Sequence, residues 1–423
     1  METGQIIAVA VFILVMAAII SEKVHRTVAA MAGALCLVLL DILSIEDCVS
    51  HVDFNTIGVL TGMMIFVAVV KNSGIFEYLA IKSAKIAKGD PWKIMILFVL
   101  ITAGFSAFLD NVTTVLLVGP MTITICRMLE INPIPFLMTQ IMASNIGGTS
   151  TLIGDPPNIM IGSAAGLSFF DFIINVGPPI LIILTAVIFC FRFIYGKHLK
   201  VEDSAKLAVF SLDEKKAIKD IKLLHKSIVM ILLVVLGFMF HGALGIESCT
   251  VALSAAAIML LIGKQSIEDT FAEIEWTTII FFIGLFIVVG GMVEVGIIDS
   301  LANLLMEATN GELVLTTIVL LWVSAIVSSI LDNIPFVATI IPIILTLEGS
   351  SVNVAPLWWA VSLGACLGGN GTLIGASANV VLSGISNNNG YPITFINYLK
   401  VGFPVMILTI VISTIYLLLR YAI

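Results

Sequence analysis

The chain has 423 residues, of which 59% are hydrophobic and 11% charged, with a mean hydropathy of +1.14. Soluble globular proteins carry about 25% charged residues, so the composition excludes a soluble domain and a nucleic-acid partner and leaves a polytopic protein of the lipid bilayer. Spans of about 20 residues with connectors allow roughly ten crossings, and the net charge of −8 then reports loops rather than partners.

Apolar segments run near 6–20, 28–43, 56–73, 94–109, 112–126, 136–165 and 172–195, then near 228–242, 249–263, 276–293, 313–330, 334–347, 357–385 and 399–420. The first could pass for a signal peptide, but no Lys or Arg precedes it and the second half has a counterpart, so it is read as a span. Segments 94–109 and 112–126 are short for full crossings and meet at Asp110-Asn111. A re-entrant hairpin over 94–126 explains them better than two spans. A second hairpin over 313–347 has its tip at Asp332-Asn333, with Pro335 suited to the first turn of the returning helix. Segments 136–165 and 357–385 are long but cut by Gly, Pro and Asn, and are read as broken helices with unwound middles. The connector 196–226 holds eight lysines among Asp and Glu and is read as cytoplasmic, a solvated loop or surface helix. Six scattered cysteines without a CxxC pattern indicate neither a metal site nor a disulfide framework.

Two motifs occur twice. Ser106-Ala-Phe-Leu-Asp110-Asn111-Val-Thr-Thr precedes Ser328-Ser-Ile-Leu-Asp332-Asn333-Ile-Pro-Phe by 222 residues. Gly147-Gly-Thr-Ser-Thr151-Leu-Ile-Gly-Asp155-Pro-Pro-Asn158 precedes Gly368-Gly-Asn-Gly-Thr372-Leu-Ile-Gly-Ala376-Ser-Ala-Asn379 by 221. Gly62 with Gly284, Gly74 with Gly296 and Pro120 with Pro342 keep the 222-residue spacing. Duplicated interruptions of apolar segments mark the binding site of secondary transporters.

The fold class expected is therefore an all-α membrane protein with two repeats, 1–195 and 227–423, each of five spans and one hairpin, with broken helices at the midplane. Five is odd, so the second repeat is expected to be inverted. The charge distribution agrees: Lys71, Lys82, Lys85, Lys88 and Lys93 flank the first hairpin, whereas Glu294, Asp299, Glu307 and Glu312 flank the second. The first hairpin is then expected from the cytoplasm and the second from outside. Both chain ends fall outside a plasma (inner) membrane, with Arg420 a small exception.

Ionisable groups at bilayer depth cost about 2.5–3.5 kcal/mol even on insertion scales. The deep ones are Asp110, Asp155 and Asp332, with no Lys, Arg or His read among them. Such a centre needs a mobile cation, and Na+ near Asp110, Asn111, Asp332 and Asn333, or H+, suits hard oxygen ligands. The amides of Asn111, Asn145, Asn158, Asn333, Asn370 and Asn379 and the hydroxyls of Thr113, Thr149, Thr151, Thr372 and Ser377 supply further donors and acceptors. Gly148 and Gly369 let backbone groups turn towards a ligand. Asp110 and Asp332 equally suit capping of the returning half-helices. Asp155 suits a plain turn before Pro156-Pro157; its repeat position is Ala376, so symmetry does not require a carboxylate there. Glu77, Asp171, Glu247 and Asp299 read as interface or loop charges. Gly369-Asn-Gly-Thr-Leu-Ile374-Gly375 fails as a dinucleotide loop because Ile374 displaces the required Gly, and no catalytic triad, HExxH or Walker pattern indicates an enzyme or a cofactor.

The motifs Ser106–Thr114, Asn145–Asn158 and Gly364–Val380 resemble the ion transporter superfamily. The similar branch holds arsenite-efflux permeases, NhaD-type Na+/H+ antiporters and the melanosomal P protein, with a citrate-transporter-like domain. The resemblance covers essentially the whole chain. It implies a scaffold, a mobile transport domain with two opposed hairpins, a homodimer and elevator-like alternating access. The dicarboxylate branch carries Ser-Asn-Thr at its tips, where this chain has Asp110-Asn111-Val112 and Asp332-Asn333-Ile334. The expected function is ion-coupled secondary transport, with H+ or Na+ exchanged for a small inorganic ion or a weak acid such as arsenite. A cation-coupled di- or tricarboxylate carrier and a passive anion channel are the alternatives.

Overall fold

The computed structural model describes residues 3–21, 23–196, 199, 201–202, 206, 213–349 and 353–421, and the described residues form helices and connecting turns with no strand. Part of the connector 196–226 lies outside the described residues. Its described end holds a 3₁₀ turn at Glu214–Ala217. That turn is tied to the first half of the chain by the Lys85–Glu214 ion pair.

In chain order the helices are α1 (Thr3–Ser21), α2 (Arg26–Leu39), α3 (Ile45–His51), α4 (Phe54–Lys71), α5 (Ile75–Ile86), α6 (Pro91–Ser106) and α7 (Asn111–Met128). They continue with α8 (Ile134–Thr149), α9 (Pro156–Ala165), α10 (Phe169–Asn175), α11 (Gly177–Tyr195), α12 (Ile221–Leu244), α13 (Ser248–Gly263) and α14 (Ile267–Ala272). The last seven are α15 (Trp276–Glu294), α16 (Ile297–Ala308), α17 (Leu313–Ile330), α18 (Asn333–Gly349), α19 (Ala355–Gly368), α20 (Ser377–Asn388) and α21 (Phe395–Tyr421). Eight of them are long and apolar enough to cross a membrane by length and composition, among the described residues. Large apolar side chains such as Leu14, Phe193 and Leu419 face outward, as they do where the surrounding solvent is hydrocarbon.

Helix starts follow local chemistry. Asp53 accepts from the amides of Asn55 and Thr56, Asp90 from Lys93 ahead of Pro91, and Asp220 from Lys222 and Leu223. Ser44 with Asp47 and Ser168 with Asp171 close reciprocal capping boxes. Asp171 is thus a cap, and Glu77 pairs with Lys219 at 3.6 Å, in keeping with structural charges.

The duplicated residues perform matching local tasks. Gly74 and Gly296 have φ of 81° and 71° immediately before α5 and α16, a backbone region in which a side chain is strained. Gly62 lets α4 cross α13, where an added Cβ would stand 2.6 Å from the Ala252 carbonyl carbon. Gly284 lets α15 cross α2, where a Cβ would stand 2.9 Å from the Ala30 carbonyl carbon. Around these crossings α1, α2, α4, α13 and α15 form one packed group. A second group pairs α6 with α8 and α17 with α19, and lays α20 on α7 and α8.

The second group is packed through glycine. A Cβ on Gly147 would fall 2.2 Å from the carbonyl oxygen of Ala103, and one on Gly368 would fall 2.6 Å from that of Ala325. Gly147→Ala is expected to cost about 2 kcal/mol or more through overpacking. Gly104→Ala, with nothing within 4 Å of the new methyl, is expected to be neutral or slightly stabilising. Thermal melts of the purified variants in detergent check both, and equal melting temperatures would contradict the packing argument.

Candidate functional site

Turns fall where the sequence placed them: α6 and α7 are joined through Ala107–Asp110, and α17 and α18 through Leu331–Asp332. Both broken helices are interrupted, at 150–155 between α8 and α9 and at 369–376 between α19 and α20. An interruption at bilayer depth leaves backbone carbonyls that need internal donors. In the first, Asn158 Nδ2 donates to the carbonyls of Thr149 at 3.0 Å and Thr151 at 2.9 Å. In the second, Asn379 Nδ2 donates to Gly369 at 2.7 Å and Thr372 at 2.9 Å. The tips are tied down the same way. Ser106 and Ser328 donate to the carbonyls of Ser144 and Ala365, both at 2.6 Å. Thr151 and Thr372 donate to the carbonyls of Ala107 and Ser329.

A buried amide chain joins the two interruptions. Asn111 Nδ2 donates to Asn145 Oδ1 at 3.2 Å, and Asn145 Nδ2 reaches the side-chain oxygens of Asn370 at 3.0 Å and Asn379 at 2.9 Å. Asn158 Oδ1 accepts from Ser362 at 2.7 Å. Thr149 donates to the Asn145 carbonyl at 2.6 Å. A Cβ on Gly148 would stand 2.5 Å from the Gly154 carbonyl oxygen, and one on Gly369 would stand 3.0 Å from the Ala376 methyl. These glycines serve the close approach of strands of unwound backbone.

The carboxylates differ in employment. Asp110 caps α7, accepting from the Thr113 amide at 2.8 Å and from the Thr113 hydroxyl. Asp332 accepts from Ser377 Oγ at 2.9 Å. Asp155 precedes α9 in extended conformation but caps nothing, and Ala376 adopts the same backbone conformation before α20. The Asp155 carboxylate, 1% exposed, instead receives both tip asparagines: Asn111 Nδ2 and Asn333 Nδ2 each lie 3.4 Å from it.

Two groups enter from the other helical group. Arg26, first residue of α2, pairs with Asp332 at 2.6 Å and donates to Ser377 at 2.7 Å. The sequence reading of a centre without Lys or Arg is therefore corrected: α2 begins level with the second tip, and the long side chain spans the gap. Glu275, ahead of α15, accepts from Thr278 at 3.0 Å and lines the same cavity as Asp110, Asp155 and Arg26. That cavity holds about 20 Å³, enough for one water-sized occupant. No group of three or more His, Cys, Asp or Glu side chains is gathered as a metal site among the described residues, so a cation here would need amide, hydroxyl and carbonyl oxygens as well.

Glu275 could have been found in the sequence. Asp53 and Glu275 are 222 residues apart, each followed three positions later by Thr. Asp53 accepts from Thr56 at 2.5 Å and from Ser163 of α9 at 2.9 Å, the matching contact in the first half. Arg26 had a weaker signal, as the last Lys or Arg before Lys71.

Unwound segments, hairpin tips and a small polar chamber between packed helices define a membrane transporter. The chain belongs to the citrate transporter (CitMHS) family, whose model matches residues 16–364. It is 42% identical over 424 residues to the 46 kDa membrane protein of Mycobacterium leprae and to an uncharacterized transporter of Mycobacterium tuberculosis, covering 99% of this chain and of each relative. It is 33% identical over 507 residues to the human P protein, covering all of this chain and 60% of that protein. The fold is similar to the Alcanivorax borkumensis YdaH transporter, with TM-score 0.56 and 11% identity over 100% of this chain and 99% of that one.

Asn379→Ala would strip two carbonyls and Asn145 of buried partners, each worth about 1–3 kcal/mol. It is expected to lower the melting temperature more than Thr113→Ala, which removes one of two bonds to a cap. Comparative melts of the two variants decide, and the reverse order would count against this account of the interruptions.

Proposed function

We propose that the protein is an ion-coupled secondary active transporter that exchanges H+ or Na+, with Asp155 as the coupling carboxylate. One observation carries the reading. Asp155 is buried between the two tip asparagines, and among the described residues no cationic side chain pairs with it. Four carboxylates (Asp110, Asp155, Glu275 and Asp332) stand around a single arginine, an excess that a mobile cation balances. The 20 Å³ chamber suits a bare or singly hydrated cation better than a di- or tricarboxylate, since organic ligands occupy pockets of about 300–1,000 Å³. Na+ would take oxygens from Asp110, Asn111, Asp332 and Asn333 at the tips.

The transport cycle in this reading is elevator-like. The tips, α8, α9, α19 and α20 move as one unit against α2, α4, α13 and α15, in an inverted pair of repeats. The lysine distribution supports a plasma (inner) membrane location with both chain ends outside the cytoplasm and a cytoplasmic connector, and the family resemblance supports a homodimer. A second reading, cation-coupled carriage of an organic anion, draws on the family's name and on Arg26 as a fixed positive charge at the chamber.

Reconstituted protein is expected to drive uphill cation flux from an imposed H+ or Na+ gradient, and Asp155→Asn to reduce it at least tenfold while leaving the melting temperature near that of the parent. Gradient-driven flux that survives Asp155→Asn removes Asp155 from the coupling role. Flux that only runs downhill identifies a channel, and stabilisation by citrate that Na+ or H+ strengthens favours the second reading.

A further inference from the structure

We propose that Arg26 is a tethered counter-cation that competes with the transported cation for Asp332. The proposal rests on the cation-exchange reading above and adds a residue that sets cation affinity. The contacts of Arg26 divide between the two helical groups. On the α15 side, its Nη2 lies 3.4 Å from Thr278 Oγ1 and its guanidinium stands 5.1 Å over the Phe281 ring. The adjoining Thr27 hydroxyl donates to the Thr277 carbonyl at 2.7 Å, fastening the start of α2 to the start of α15. On the tip side, Nη1 reaches Asp332 at 2.6 Å and Ser377 at 2.7 Å. A pair serving stability alone would not need to straddle the two groups with its cation anchored on one and its anion on the other.

Position adds a second argument. Arg26 and Ser377 line both the 20 Å³ chamber and an open cavity of about 330 Å³ that also meets Ile19, Val24 and Val380. A cation arriving from that cavity meets the Arg26–Asp332 pair before Asp155. The two cations oppose one another at Asp332, because positive charges at one carboxylate repel over a few ångströms in a medium of low dielectric. Cation binding therefore favours release of the guanidinium, which stays with Phe281 and Thr278. The charge on Asp332 is then matched at each stage, by Arg26 or by the transported ion. The ionisable groups facing Arg26 are Asp332 from the second tip, Glu275 ahead of α15, Asp110 and Asp155 across the chamber, and its own neighbour His25.

The test is stabilisation of the purified full chain by Na+, titrated as NaCl against choline chloride at constant ionic strength, with acid titration in choline chloride reading the proton. Arg26→Gln is expected to lower the Na+ concentration at half-maximal stabilisation about tenfold, or to raise the proton midpoint by about one pH unit. Arg26→Lys, which keeps the charge, is expected to stay within about threefold of the parent. A merely structural pair predicts lower melting temperatures with unchanged midpoints. Should Arg26→Gln not fold, Arg26→Met, which retains apolar contact with Phe281, takes its place. Unchanged or weakened cation binding on neutralising Arg26, or a lysine variant that behaves as the neutral one, overturns this proposal alone. A parent protein that responds to neither cation overturns it together with the cation-exchange reading.

Discussion

A helix that stops in the middle of a bilayer must find partners for the carbonyls and amides it releases, because hydrocarbon supplies none. In this protein that requirement is met twice by one device, an asparagine at the start of the resuming helix that turns back onto the unwound segment. Asn158 and Asn379 do this for the interruptions between α8 and α9 and between α19 and α20. Ser106 and Ser328 anchor the neighbouring hairpins to the same helices. These four polar residues are thereby occupied in holding backbone. The groups left over, above all the Asp155 carboxylate, define what the chamber can do.

That division separates a rigid polar framework from a small electrostatic problem. The framework is the amide chain from Asn111 through Asn145 to Asn370 and Asn379, which joins both halves of the sequence. The problem is an excess of carboxylates over cations in a region where unpaired charge is costly. Arg26 relieves one carboxylate and comes from the opposing helical group. In the proposed elevator-like cycle, movement between the groups alters the charge balance at the chamber, a physical route from conformation to ion occupancy.

The duplication was legible because helix-breaking residues are rare in apolar sequence and their spacing is kept. The 222-residue repeats of Asp110-Asn111 and of Gly62 and Gly74 mark tips, crossings and turns that the folded chain uses in both halves. Arg26 was not legible as a site residue. It looks like an ordinary basic residue flanking a span, and its reach to a tip 306 positions away depends on how α2 packs against α15. Glu275 has the look of any charge beside a span, although its repeat partner Asp53 carries the same spacing to threonine.

The sequence by itself determined the membrane class, the turns before Asn111 and Asn333, the two interruptions and the unmatched residue Asp155 opposite Ala376. These depend on hydropathy and on local backbone chemistry, which short stretches of chain express alone. Only the tertiary structure decided which groups meet: that Asp155 faces both tip asparagines and caps no helix, that Asp110 is spent on capping, and that Arg26 closes on Asp332. The reason is that a side chain's partner at bilayer depth is set by which helices cross and at what level, and the crossings are chosen by packing between segments hundreds of residues apart.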